Sequence, residues 1–457
     1  KGLLVTGFTF ENETSIWLQI PPLSWVGVTA VPVLICYWLG KLRLMLFVFF
    51  SFLYVAFIGL WDSTMLTIAS VIVSVLLGII IGGLLGIDIH LSSMPSIMSY
   101  FKTDKGHMQQ SISLFLLGLA SSQLIYGPLS DKFGRKPVVL FGIFLASSAS
   151  FAACFANSIE VFLFLRFLQG AGSSACMGLG RTMIADILQR DRLSTVGSYF
   201  TTILAFSPLL APSVGGYLEF YYGWQANFFV LGSYILLAGI FFFLACPETN
   251  KHIQDEPLKF KVIFKTYLSL FQKKLFIGCC LVAGVAMAAN IAYATISPFI
   301  FQTEYHLTAI QYGWVTAFAG LGALVGKLFN PIFVNRIGGM YTLKFGFYLL
   351  SVAFAWLLVS RLLNLEWISL IIFGVFIAIL SQSLISPNAM SYGLSPFHTR
   401  RGAASAVYGS LMLLVSFSVS SIVSIFNEYG LIVLTICYGI LAIASLIIFY
   451  LMINVQE

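Results

Sequence analysis

Twelve apolar stretches follow one another between Met65 and Ile453, each near the ~20 residues that a bilayer core demands of a helix. The polar connections between them are short. No soluble core can bury so many continuous apolar runs, and the runs do not alternate as membrane β-strands do. The expected fold class is therefore an all-α membrane protein. Composition agrees: 59% of the 457 residues are hydrophobic and 9% are charged, whereas a soluble globule carries roughly a quarter charged residues. The net charge of +7 is then a matter of topology and not a nucleic-acid footprint.

The spans are expected near 65–90, 109–129, 138–156, 159–179, 196–220 and 227–245. After a charged connector they resume near 275–299, 312–333, 341–359, 367–387, 403–426 and 430–453. This divides the chain into an extra N-terminal hydrophobic region at 1–64, a six-helix half at 65–245, a connector at 246–274 and a second six-helix half at 275–457. Basic residues test the count. If the polar stretch Gly127–Lys136 faces the cytoplasm, sixteen Lys and Arg fall on that side, against three (Lys102, Lys105 and Arg361) on the other. That bias sets the expected orientation, with connector and C-terminus cytoplasmic in a multi-pass cell-membrane protein.

Gly127-Pro-Leu-Ser-Asp-Lys-Phe-Gly-Arg-Lys136 is charged yet flanked by two spans. It is expected to be a solvated loop. Gly127 would let helices pack closely and Gly134 would permit a tight turn. Asp131 could cap or oppose a helix end, and Arg135 and Lys136 could answer carboxylates across the loop. An ordinary basic loop is the plainer reading. The order of residues resembles the signature of the major facilitator superfamily between its second and third helices. There the motif helps hold one conformation of an alternating-access cycle. Val334-Asn-Arg-Ile-Gly-Gly339, after the eighth span, echoes it weakly, with Asn335 in place of Asp131 and Gly338 matching Gly134. Two related halves around a midplane site suit a facilitator-type transporter.

Three further constellations bear on chemistry. Asp88 closes an apolar helix bearing Gly78, Gly82 and Gly86, and a carboxylate there is either a water-exposed mouth residue or a proton site. Asp88-Ile-His-Leu-Ser-Ser-Met-Pro95 resembles a first-helix stretch of Bcr/CflA-type drug–proton antiporters, with His90 where that family has Tyr and Ser92 where it has Pro. Arg166, in Phe162-Leu-Phe-Leu-Arg-Phe-Leu-Gln-Gly170, keeps its charge and needs water or a partner. Asp88 and Arg166 are expected at similar depth, as a proton-sensitive pair; snorkelling of Arg166 is the alternative. The resemblance ties such an arginine to proton coupling. Pro208-Leu-Leu-Ala-Pro-Ser-Val-Gly-Gly216 reads as a kinked helix. Its Pro212, Gly215 and Gly216 resemble the motif of exporters in this family, with Ala211 replacing a glycine. By the same resemblance Asn290, Gln382 and Asn388 would line the substrate cavity.

Other chemistries are missing from the sequence. It has no P-loop, no His-Glu-x-x-His and no nucleophile elbow. The seven cysteines form no Cys-x-x-Cys pair and read as small buried apolar residues. An enzyme is not expected, nor a metal, a cofactor other than protons as coupling ion, or a nucleic-acid partner. The partners expected are a small-molecule substrate and the lipid bilayer, with the chain a monomer. No signal peptide is read in the first residues. Residues 1–87 are foreign to this picture. Leu60-Trp-Asp-Ser-Thr-Met-Leu-Thr-Ile-Ala-Ser-Val and Gly82–Ile87 resemble the early membrane region of glycine betaine/proline-type ABC permeases. A cytoplasmic Lys41 and Arg43 would also invert every later helix, which suggests a fusion near Ile87. The expected function is proton-driven export of drugs or small amphipathic compounds. The alternatives are a permease subunit of an ATP-driven osmolyte importer and a transport-inactive fusion.

Overall fold

In the computed structural model of the chain, the described residues are 85–187, 210–246, 248–250, 260–365, 367–397 and 401–453. All lie in the compact unit Leu76–Glu457. The segments that suggested a fusion, up to Gly82-Gly-Leu84, fall outside the described residues, as does Pro208.

The described chain begins with α1 (Leu85–Asp88), a 3-10 turn at Leu91–Ser93 and α2 (Met94–Phe101). The first half continues with α3 (Lys105–Phe133), α4 (Arg135–Ala153), α5 (Ile159–Ile187), α6 at 210–222 and α7 (Trp224–Ala245). A short amphipathic helix, α8 (Phe260–Leu270), lies in the connector. The second half holds α9 (Lys274–Phe299), α10 (Ala309–Ile337), α11 (Gly339–Leu362), α12 (Ile368–Leu394), α13 (Arg401–Ile425) and α14 (Leu431–Ile448). Among the described residues, nine helices are long and apolar enough to cross a membrane.

The halves repeat at one constant spacing, visible in the backbone itself. Lys102 and His306 are both left-handed, at φ 51° and 55°. Two residues later Asp104 and Thr308 cap α3 and α10, accepting the N–H of His107 (2.9 Å) and Gln311 (3.3 Å). At Asp104 slight burial pushes the carboxyl up. The backbone and ring of His107, with the Gly106 N–H, outweigh that and hold it below the ordinary carboxylate range. Both helices run 29 residues and stop at a glycine, Gly134 at φ 94° and Gly338 at φ 87°. The packing repeats too. α3 packs on α5, α4 on α5 and α4 on α7; α10 packs on α12, α11 on α12 and α11 on α14.

Among the described residues, two seams between the halves stand out. One runs the length of α3 and α13, where Ser113 donates to Ser420 (2.9 Å) and Ser410 to the Ala120 carbonyl (2.8 Å). Small residues let these helices approach, and hydroxyls satisfy one another away from water. The other joins α6 to α10. The most enclosed helix is α9, where almost every residue from Cys279 to Phe299 is buried. α8 reaches across as well: the Tyr267 hydroxyl donates to the Leu124 carbonyl of α3 (2.9 Å).

Two expectations need correction. The ten-residue loop Gly127–Lys136 is a single glycine, because α3 continues through Phe133 and α4 starts at Arg135. The charges that mark the membrane exit do not interrupt helical hydrogen bonding, so the helix outlasts its apolar run. Gly127 does not mediate close packing: a Cβ there would meet nothing within 4 Å. Likewise, the first span does not end near His90 but resumes after the 3-10 turn and reaches Phe101.

Candidate functional site

At the end of the bundle carrying Gly134, here the signature end, the chain leaves α3 and enters α4 through one residue. Its φ of 94° and ψ of 156° are nearly exclusive to glycine. The first amides of α4 have no intrahelical partner. Glu248, just past α7, supplies one: Arg135 N–H donates to Oε1 (2.9 Å) and Lys136 N–H to Oε2 (3.0 Å). Partial burial pushes the Glu248 carboxyl up, but the N–H groups of Asn250, Arg135, Lys136 and Thr249 outweigh this and hold it below the usual carboxylate range. Asn250 closes the other helix end, donating to the carbonyls of Ser130 (3.3 Å) and Asp131 (3.4 Å). The Arg135 guanidinium pairs with Asp131 (2.6 Å) and donates to the Ser130 hydroxyl. Lys136 donates to the Phe243 carbonyl (2.8 Å). The signature and the segment after α7 thus form one charge-assisted clasp. Glu248 was missed in the sequence, although it is the first acid after the sixth apolar run.

Arg166 is fully buried, seven residues into α5. It does not snorkel. Its guanidinium lies 4.6 Å from the Phe115 ring centre and 5.7 Å from that of Phe228. It donates to Gln169 Oε1, whose amide in turn donates to the Ser150 hydroxyl (2.6 Å). Its Nε has no partner. A second guanidinium nitrogen faces His90 Nδ1 at 3.5 Å.

The expected Asp88–Arg166 pair is not made in this conformer. The ion pairs among the described residues are Asp104–His107 and Asp131–Arg135. Because the first span continues to Phe101, Asp88 lies roughly 20 Å from that end of the bundle, while Arg166 lies roughly 10 Å from it, at 1.5 Å per residue. The carboxylate is half-buried at a helix break, and the residue that meets the arginine is His90, two positions on.

At the far end, opposite the signature, α6 is wedged between the first segment and α10. A Cβ on Gly215 would fall 1.9 Å from the Ile89 carbonyl oxygen, and one on Gly216 would fall 2.3 Å from that of Ala309. Pro212 offers its carbonyl to Ser92 Oγ (2.8 Å), and Ser213 donates to the Gly313 carbonyl (3.1 Å). Asn227 donates to Ser93 and to the Gly215 carbonyl (3.3 Å). Pro212 and Gly216 therefore sit at a backbone-to-backbone seam between the halves, on Gly313 and Ala309, while Gly215 packs within the first half on Ile89. Of the residues expected to line a cavity, Asn290 and Gln382 are half-buried. Asn388 is buried, and its amide joins α12 to α10 through Asn330 Oδ1 (2.8 Å) while also bonding the Leu384 carbonyl (2.7 Å). It acts as a helix clamp. No group of three or more His, Cys, Asp or Glu suited to a metal occurs among the described residues.

A repeated helical bundle with membrane-length apolar helices, two seams between its halves and a charged clasp at one end defines a multi-pass membrane carrier. The Major Facilitator Superfamily description matches residues 84–421, and the chain belongs to that family: it is a membrane transporter, not an enzyme. It is 28% identical to a bicyclomycin resistance protein homolog of Haemophilus influenzae over 74% of this chain and 85% of that one. It is 26% identical to the chloramphenicol resistance protein CraA of Acinetobacter baumannii, over 73% and 80%. In fold it resembles the Escherichia coli xylose transporter XylE in a partially occluded inward-open conformation. The TM-score is 0.68 at 14% identity, covering 84% of this chain and 97% of that one. The fold is thus the twelve-helix facilitator fold of two six-helix halves.

Proposed function

We propose that this transporter exports small amphipathic compounds, drugs among them, across the cell membrane in exchange for protons. The reading is carried by one observation: a permanently charged arginine fully buried in the first half, with a half-buried carboxylate, Asp88, that makes no ion pair among the described residues. A charge held in a membrane interior without a carboxylate partner is costly, and such residues mark ion and proton pathways. The named drug-resistance relatives support drugs as the substrate class, and export is the direction by which a transporter would confer resistance.

The signature end faces the cytoplasm, with connector and C-terminus on that side, as the sixteen-to-three bias of basic residues indicates. The far end is then external and sealed by α6 against Ile89 and α10. Transport rocks the two halves about a midplane cavity that Asn290 and Gln382 help line. Asp88 gains and loses the coupling proton, and no other cofactor takes part. When ionised it draws on Arg166; when protonated it releases it, which shifts the balance between conformers. The clasp of Gly134, Asp131, Arg135, Lys136 and Glu248 holds the signature end in one of them. The monomer is the working unit.

The test is accumulation of labelled chloramphenicol in cells lacking other exporters. Expression should lower accumulation, and a protonophore should restore it. Lowered accumulation that survives the protonophore, or none at all, contradicts the reading.

A further inference from the structure

We infer that the connector helix α8 is an interfacial anchor, and that its partner is the anionic headgroup surface of the membrane leaflet at the signature end. The inference goes beyond the export reading and does not depend on it. α8 presents three sectors in order around its axis. The first is docked. Leu270 is fully buried in a core with Phe276, Cys280 and Phe449, and the Tyr267 hydroxyl reaches the Leu124 carbonyl of α3 (2.9 Å). The second is apolar and open. Phe264 and Leu268 lie ~40° apart at 3.6 residues per turn, and they are 69% and 54% exposed. Phe271, in the turn that follows, is 48% exposed. The third is basic. Lys261 and Lys265 stand ~20–60° further round from Leu268, both exposed, and Lys273 and Lys274 add two exposed cations at the entry to α9.

This order has a physical consequence. A helix that buries one side in its own protein, offers a second to acyl chains and turns a third toward phosphates lies in the plane of the interface. The depth agrees. Leu124 belongs to the apolar run 109–129, and only three residues separate the end of α8 from the start of α9. α8 is thus held at the edge of the hydrocarbon and not out in water. The charges choose the lipid. The stretch from Phe260 to Lys274 contains no acid, and none of the four lysines makes an ion pair among the described residues. A leaflet of net negative charge attracts each of them, and a zwitterionic one does so far less. The anchor also has a structural reach. α8 leads into the second half and packs on its α13, yet through Tyr267 it holds α3 of the first half. A leaflet that fixes α8 fixes a bridge between the halves.

The test uses the full chain in phosphatidylcholine nanodiscs, with its seven cysteines replaced and bimane on Leu268→Cys. Aqueous iodide should quench it little before any other lipid is added. Phosphatidylglycerol with a nitroxide near the top of its acyl chain should then half-quench at about tenfold lower mole fraction than phosphatidylcholine labelled the same way. Salt raised from about 0.05 M to about 0.5 M should narrow that preference in the parent. A chain carrying Lys261→Gln, Lys265→Gln, Lys273→Gln and Lys274→Gln should be quenched alike by the two lipids. Equal quenching by both lipids in the parent overturns the inference. Ready quenching by iodide also overturns it, since the helix then stands in water. So does shielding from iodide and lipid alike, which puts a protein surface over the apolar sector. A preference that survives both salt and the four Gln substitutions overturns the role of the lysines and with it the anionic partner. No readout involves export, so this inference and the exchange reading fail separately.

Discussion

The loops at Gly134 and Gly338 have the same backbone and different chemistry. Each follows a 29-residue helix, each is one glycine at positive φ near 90°, and each opens directly into the next helix. At Gly134 a Cβ would come 2.5 Å from Glu248 Oε2; at Gly338 it would meet nothing within 4 Å. Asp131 pairs with Arg135, while the matching positions hold Asn335 and Gly339. The turn is thus a demand of the repeated fold, and the charges are an addition made in one half. A motif that recurs weakly does not carry its function twice.

Substitutions that treat the two loops alike should separate them. The largest effect is expected from glycine replacement. Gly338→Ala should cost about 1–3 kcal/mol of backbone strain. Gly134→Ala should cost that and about 1 kcal/mol more, because displacing Glu248 leaves the Arg135 and Lys136 amides without their acceptor at an exposed site. Unfolding midpoints in detergent would show it; equal losses would mean the clasp contributes nothing. Next in size is transport. Asp131→Asn should slow chloramphenicol export about tenfold, and Asn335→Asp should leave it within about twofold, since the described residues form no clasp there to complete. Smaller again is amide exchange. The Arg135 and Lys136 amides should exchange about fivefold faster in Glu248→Gln, with Met340 and Tyr341 unchanged. That protection depends on pH. The folded pKa of Glu248 is depressed, so its stabilising contribution is present above the ordinary glutamate pKa near ~4.3 and fades as pH falls through the lower folded value. Protection relative to the intrinsic exchange rate that is lost above pH 6 instead would place the clasp on a different group.

The parts of the fold that depend on composition were open to reading in advance. Apolar length gave the spans and the Gly134–Gly338 echo gave the repeat, while basic asymmetry bears on the proposed orientation alone. What escaped depended on contacts distant in the chain. Glu248 lies more than a hundred residues from the amides it caps, and its sequence neighbourhood resembles any polar connector. The continuation of the first span to Phe101 was hidden by the polar run around Asp88, His90, Ser92 and Ser93, whose side chains find partners on other helices. The depth of Asp88 was misjudged for the same reason. His90 and Ser92, which looked like losses from a pattern, turned out to make contacts of their own with Arg166 and Pro212.

The central claim is that a proton taken up at Asp88 is exchanged for the exported compound. Inverted membrane vesicles, energised and then given chloramphenicol, report this directly through the proton released on exchange. The account predicts a prompt release with the parent chain and none with Asp88→Asn at equal expression. Release of the same size from Asp88→Asn would remove that carboxylate from the coupling.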